Sequence, residues 1–293
     1  MRWDENHESP DVIDRRGEGG GGGPALGGMF AFLPLLMRSR FGWVGLLVII
    51  AVAMFGGLRG LFGGGEQRVH GETRGVAGAQ GDEKMVHFVS FVLDDAQTTW
   101  RELFSERGRS YRNAKMVLFT GATQTACGRG RAATGPFYCP PDERVYIDLS
   151  FYQELSNRLG ARGDFAQAYV IAHEIGHHVQ HQLGTDKRVQ SASRAEQEGA
   201  GGASVRLELQ ADCYAGVWAH ATKRRDLLEA GDLDEALNAA AAIGDDRLQR
   251  DSGGAVQPET WTHGSSAQRS RWFKRGYESG DPSSCDTFAE GTL

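Results

Sequence analysis

Apolar positions divide the chain into two unlike regions. From Phe41 to Leu58 they run almost unbroken as FGWVGLLVIIAVAMFGGL, with no charged residue. A helix rises 1.5 Å per residue, so this segment would be about 27 Å long, close to the roughly 30 Å hydrocarbon core of a bilayer. Trp43 near one end suits an interfacial anchor. The pattern therefore predicts one transmembrane helix over residues 41–58. The shorter run Leu26–Met37 contains Pro34 and is too short to span. Around these runs the sequence is polar and rich in glycine. Residues 1–28 lack the apolar surface to offset their ordering entropy. The expected organisation is a disordered tail over 1–40, the span over 41–58 and a flexible linker over 59–81.

From residue 82 onward the pattern changes to amphipathic helices and short strands. Asp82 can cap a helix whose apolar positions Phe88, Val89, Val92, Ala96, Trp100, Leu103 and Phe104 recur at helical spacing. Met116–Phe119 and Arg144–Leu149 read as strands, the second alternating through Val145, Ile147 and Leu149. Asp164 can cap a helix running to Leu183, with Gly184 as its stop. Residues 184–202 read as a loop. Further helices are expected over 204–228, 233–243 and 267–278, the last with a Ser265/Gln268 capping box. The fold class is α+β, mainly helical with a small sheet, and residues 82–293 form one domain.

Composition sharpens this division. Glycine is 41 of 293 residues, and 20 of them fall between Gly17 and Gly81. No Gly-X-Y period exists, so the excess is not collagen. Hydrophobic residues are 40% and charged residues 24%, which excludes a wholly disordered chain. The net charge of −6 argues against a nucleic-acid partner. All four cysteines (Cys127, Cys139, Cys213, Cys285) follow the apolar span, and no C-x-x-C occurs. An even set on one side of the span suits disulfides in an oxidising compartment. The turn-rich GRGRAATGPFY favours pairing Cys127 with Cys139, which leaves Cys213 with Cys285. Basic residues do not orient the span: Arg38 and Arg40 precede it, and Arg59, Arg68 and Arg74 follow it.

The chemistry lies in AYVIAHEIGHHVQHQLG. His173 and His177 are four apart and leave one helix face, where both can reach one zinc ion. Glu174 lies about 100° round the helix, beside the metal, as the general base of an H-E-x-x-H hydrolase. A third ligand is required. An H-E-x-x-H-x-x-G-x-x-H continuation fails, because Gln180 and Leu183 occupy the glycine and last histidine positions. The later E-x-x-x-D of SVRLELQAD supplies Glu208 as the ligand and Asp212 to accept a hydrogen bond from the non-ligating nitrogen of His173. His181, one turn past His177, is a rival ligand. His263 is the first candidate to steady a tetrahedral oxyanion, with Tyr214 and Tyr138 behind it. Met116–Phe119 or Pro136–Tyr138 could offer a sheet edge to a substrate backbone.

These residues resemble the neutral zinc metallopeptidases of bacteria, single-span membrane proteins. The resemblance covers nearly the whole chain. It runs through Asp14-Arg15-Arg16-Gly17, Cys127-Gly128, Gly135-Pro136-Phe137-Tyr138-Cys139-Pro140, VYIDLSFY, AYVIAHEIGHHVQ, SVRLELQADC, THGSS and Cys285-Asp286-Thr287-Phe288. Ile13 stands where an acidic residue is expected. The resemblance implies a gluzincin-like, zincin-type domain with one zinc on His173, His177 and Glu208, and Glu174 as base. It further implies a protein or peptide substrate, and a single-pass protein of the bacterial cytoplasmic membrane whose catalytic domain lies outside the cytosol. The runner-up expectation is a catalytically silent, zinc-stabilised, membrane-anchored assembly factor.

Overall fold

The computed structural model describes residues 1–18, 74–289 and 291, with backbone alone at 74–81. The expected span at 41–58 lies outside the described residues, as does most of the linker. Among the described residues no helix is long and apolar enough to cross a membrane.

Six strands and nine α-helices occur among the described residues. Strand β1 (Val12–Asp14) and helix α1 (Arg74–Ser105) lead into β2 (Lys115–Phe119), the hairpin β3 (Ala122–Thr125) and β4 (Gly128–Arg131), then β5 (Phe137–Cys139) and β6 (Arg144–Asp148). Helices follow: α2 (Phe151–Asn157), α3 (Asp164–Leu183), α4 (Thr185–Gln190), α5 (Arg194–Gln197), α6 (Ala203–Arg224), α7 (Asp232–Ala242), α8 (Asp245–Asp251) and α9 (Ser266–Ser279). The main sheet has the order β1-β2-β6-β5. The β1–β2 and β2–β6 pairs are parallel, and β5 closes the far edge antiparallel to β6.

Alternation along the two central strands explains why both faces of the sheet are covered. Met116, Leu118, Val145 and Ile147 point into the main helical core. Val117, Phe119 and Tyr146 point the other way, into a small cluster with Cys139. Helix α1 buries Phe88, Val89, Val92, Leu93, Ala96, Trp100 and Phe104 against the main core. Both disulfides form as the sequence favours, Cys127–Cys139 and Cys213–Cys285.

Two close helix contacts fix the relative positions of α3, α6 and α9. A Cβ placed on Gly176 would meet the Ala211 backbone at 3.0 Å, so α3 and α6 cross with almost no gap. A Cβ on Gly216 would overlap the Phe273 carbonyl, and one on Gly276 would overlap the Cys213 carbonyl. Helices α6 and α9 are thus held at backbone contact by reciprocal glycines.

Several expectations need correction. Residues 1–18, expected to be disordered, are packed on the body: β1 pairs with β2, and the Met1 side chain is 5% exposed. The edge of β2 satisfies the backbone of this polar segment, which its composition does not reveal. Helix α1 starts at Arg74 rather than near 82, so residues 74–81 are helical despite their glycines. Extending an existing helix costs far less than starting one. The expected loop over 184–202 contains α4 and α5, the latter closed by a Ser193/Glu196 capping box. Asp164 is the first residue of α3, not its cap, which is Gly163. The other helix limits fall within a few residues of expectation. Gly184 ends α3 in the left-handed region, and the Ser265/Gln268 box is present.

Candidate metal centre

Helix α3 presents His173 and His177 on the face turned toward α6, with ring centroids 4.8 Å apart and nearly perpendicular. Because Gly176 allows α6 to approach, Glu208 reaches both rings. Its carboxylate oxygens lie 3.2 Å from His173 Nε2 and 3.4 Å from His177 Nε2. Nitrogen and oxygen ligands about 2.0–2.2 Å from a tetrahedral zinc would stand about 3.3 Å apart, so this donor set has the spacing the ion requires. The three ligand atoms all lie within 4.8 Å of one another.

The ring nitrogens turned away from this point are both held. His173 Nδ1 donates to Asp212 Oδ1 at 2.8 Å, and Tyr169 Oη donates to the same oxygen at 2.5 Å. His177 Nδ1 donates to Gln180 Oε1 at 2.9 Å. Gln180 is itself fixed by donating to the Leu207 carbonyl at 2.7 Å and Gln210 Oε1 at 3.1 Å. Each candidate ligand ring is therefore oriented with Nε2 toward Glu208, the position from which it would ligate a metal.

Arg269 of α9 closes the cluster from behind. Its Nε donates to Asp212 Oδ2 and its Nη2 to Asp212 Oδ1, both at 2.9 Å. Nη2 also lies 4.0 Å from Glu208. Arg269 is 1% exposed and Asp212 fully buried. With both imidazoles neutral, as metal ligation requires, ionised Glu174, Glu208 and Asp212 with one guanidinium would give a net −2, which one divalent cation would cancel.

The electrostatics follow from these partners. Burial opposes charge on Asp212, yet Arg269 and His173 hold its carboxyl below the ordinary value. Burial likewise opposes Glu208, and the two imidazoles hold it well below. Burial pulls the His173 ring down, but Asp212 and Glu208 raise it to about 10. Glu174 behaves differently: burial lifts its carboxyl above the ordinary value against the pull of both imidazoles. A raised carboxyl is better matched to taking and returning a proton near neutral pH.

His173, Glu174, His177, Glu208 and Arg269 line a cleft of about 610 Å³, whose walls also include Phe137, Tyr138, Val170 and His263. His263 stands at the rim, with its Nδ1 3.2 Å from Asp245 Oδ1. The Asp245 hydrogen bond raises this imidazole above its ordinary value. Tyr138 also lines the cleft, and its hydroxyl lies 2.9 Å from His178 Nδ1. Tyr214 does not join them: it packs edge-on against Trp100 at 5.0 Å. His181 is paired with Asp186 at 2.6 Å and is not part of the ligand group.

Sequence reasoning missed Arg269 and Gln180. Arg269 sits in the polar run SAQRSRWFKRG without a motif around it. Gln180 carried a detectable signal, being three residues past His177 on the same helix face.

A family model described as "Putative neutral zinc metallopeptidase" matches residues 1–288. "Uncharacterized protein YpfJ" of Escherichia coli strain K12 is 48% identical over 293 residues, covering 99% of each chain. "Uncharacterized protein Rv2575" of Mycobacterium tuberculosis strain H37Rv is 45% identical over 211 residues, covering 68% of this chain and 69% of the relative. No solved structure matches the chain.

Proposed function

The chain belongs to the family of putative neutral zinc metallopeptidases, and from that membership we propose that it is a zinc-dependent peptidase that hydrolyses peptide bonds in protein substrates. One observation carries the reading. Two imidazoles and a carboxylate converge at zinc spacing, with an intact Glu174 beside them in a cleft large enough for a peptide. A zinc site serving only stability is normally closed by a fourth protein ligand and has no use for a general base. The ligand group here has three members among the described residues.

His173, His177 and Glu208 would hold the zinc. When bound, the ion supplies Lewis acidity that makes a water reactive at neutral pH. Glu174 accepts a proton from the attacking water as its oxygen bonds to the peptide carbonyl carbon. It returns that proton to the amine as the C–N bond breaks, so the carboxylate is regenerated. His263, whose imidazole the Asp245 contact holds above its ordinary value, can donate to the oxyanion from the rim in its protonated form. Strand β5 ends the sheet beside the cleft, so an extended substrate can pair with its free edge while Tyr138 contacts it. Two disulfides favour an oxidising compartment outside the cytosol for this body.

The test uses the full chain, because residues 1–18 are part of the body and a fragment starting at 82 would lack them. Purified protein should cleave casein, lose the activity on chelation and regain it with zinc. Unfolding on chelation, with no cleavage before it, would instead indicate a zinc-stabilised assembly factor.

A further inference from the structure

Strand β5 is the proposed substrate edge, yet it is three residues long and ends the sheet, with β6 as its paired neighbour. Prolines flank it at 136 and 140. Phe137 and Cys139 pack into the small cluster on one face of the sheet, where Phe137 stacks on Tyr146 at 5.1 Å and Cys139 is bonded to Cys127. Tyr138 faces the other way, against the main core, and lines the cleft. The hold of β5 on α3 is therefore centred on Tyr138.

Its partner on α3 is His178. This residue directly follows the candidate ligand His177, but a step of about 100° round the helix turns it from the metal toward β5. It is fully buried, and no step of the proposed mechanism uses it. Its Nε2 lies 2.6 Å from the Arg112 carbonyl oxygen. A carbonyl oxygen only accepts, so Nε2 donates, and Nδ1 is left to accept from the Tyr138 hydroxyl at 2.9 Å. Gln182, one turn on, donates to the same Arg112 carbonyl at 3.0 Å and accepts from the Arg112 amide at 2.8 Å. Tyr111 stands edge-on to the imidazole, with ring centroids 5.4 Å apart. The His178 ring is thus fixed by α3 and by the segment leading into β2, and Tyr138 is fixed by it in turn.

We infer that His178 is a positioning residue for substrate: through Tyr138 it locks β5 against α3, so that the strand edge presents an extended polypeptide at a set distance from His173, Glu174 and His177. This deepens the peptidase reading and rests on it. The same geometry removes Tyr138 from the oxyanion candidates, because its hydroxyl hydrogen is committed to His178. The β5 edge and the Tyr138 ring touch parts of the substrate that do not react, so they hold ground state and transition state alike. Loss of the lock should therefore weaken substrate binding far more than it slows the chemical step.

Two variants of the full chain test it. Tyr138→Phe removes the hydroxyl alone, and His178→Phe removes both nitrogens while keeping a ring. Casein cleavage, bound zinc and backbone hydrogen exchange are measured for each. Each variant should raise KM for casein by about 3–10-fold, the range of one hydrogen bond, with a much smaller change in kcat. Both should hold one zinc per chain. The double variant should be no worse than His178→Phe alone, because the two residues act through one contact. Backbone amides of residues 137–139 should exchange faster in both variants, while those of 173–177 keep the wild-type rate. Zinc loss, or a fall in kcat at constant KM, in His178→Phe would overturn the inference and assign His178 to the metal centre. Additive effects in the double variant, or unaltered exchange at 137–139, would overturn it as well. Should His178→Phe fail to fold, Tyr138→Phe decides by its own exchange and KM. Absence of casein cleavage by the wild type would count against the peptidase reading instead, and exchange at 137–139 would then decide the Tyr138–His178 lock alone.

Discussion

Arg269 shows how a buried residue can govern a site without carrying a motif. Its guanidinium is the permanent positive charge facing Asp212, and Asp212 in turn orients the His173 ring. Removing the guanidinium leaves a fully buried carboxylate with a histidine and a tyrosine as its partners. Arg269→Gln should therefore destabilise the protein by about 3–5 kcal/mol in thermal or urea unfolding. It should also weaken zinc binding by roughly 10–100-fold, because the ligand ring loses its fixed orientation. Arg269→Lys should recover part of both losses. Equal stability of all three proteins would show that the guanidinium does not carry the cluster's charge balance. At this scale the sequence was informative where spacing encodes geometry. His173, Glu174 and His177 lie on one helix, and Glu208 and Asp212 are separated by one turn of another. Arg269 was not legible because its role depends on how α9 packs against α6, a contact nearly 60 residues apart in the chain.

Elements place these residues through contacts that are nearly backbone to backbone. Gly176 lies inside the H-E-x-x-H turn, and its lack of a side chain sets the α3–α6 distance. Gly176→Ala should push the helices apart, at about 1–3 kcal/mol of stability. Glu208 should then reach His173 and His177 less well, so zinc should dissociate faster in a competition assay with a chromogenic chelator. Unchanged stability and zinc release would mean that α6 can shift without disturbing the site. The helices were legible because their apolar spacing is long and regular. Strand β1 was not, since three residues in a polar context carry no period, and its partner β2 lies about 100 residues away. Its attachment has a pH signature. Burial opposes the Asp11 charge, but Lys115, Asn113 and Gln97 hold its carboxyl below the ordinary 3.8. The stabilisation is therefore complete above that value and is lost as pH falls through the lowered folded value. Asp11→Asn should lower stability at neutral pH by about 1 kcal/mol, given the partial exposure of its lysine partner. The gap to wild type should close once the pH has fallen below the lowered folded value. A gap that persists in acid would mean the asparagine disrupts packing rather than removing a charge.

For the whole molecule, the glycine excess and the net charge both follow the division of the chain. Residues 1–81 hold 8 basic and 8 acidic residues, so the −6 belongs to the remainder. The boundary is less simple than composition suggests. Residues 1–18 belong to the body by structure, although they are polar, short of apolar residues and run directly into the glycine-rich stretch that follows. The N-terminal edge strand β1 lies at the opposite end of the sheet from the proposed substrate edge β5. In the proposed function this unit uses zinc and Glu174 to cut protein. Purified full-length Glu174→Gln is compared with wild type for bound zinc and for casein cleavage. Both proteins should bind one zinc per chain, and cleavage should fall by about 10²–10⁴-fold in the variant. Cleavage by Glu174→Gln at the wild-type rate, with zinc still bound, would contradict it.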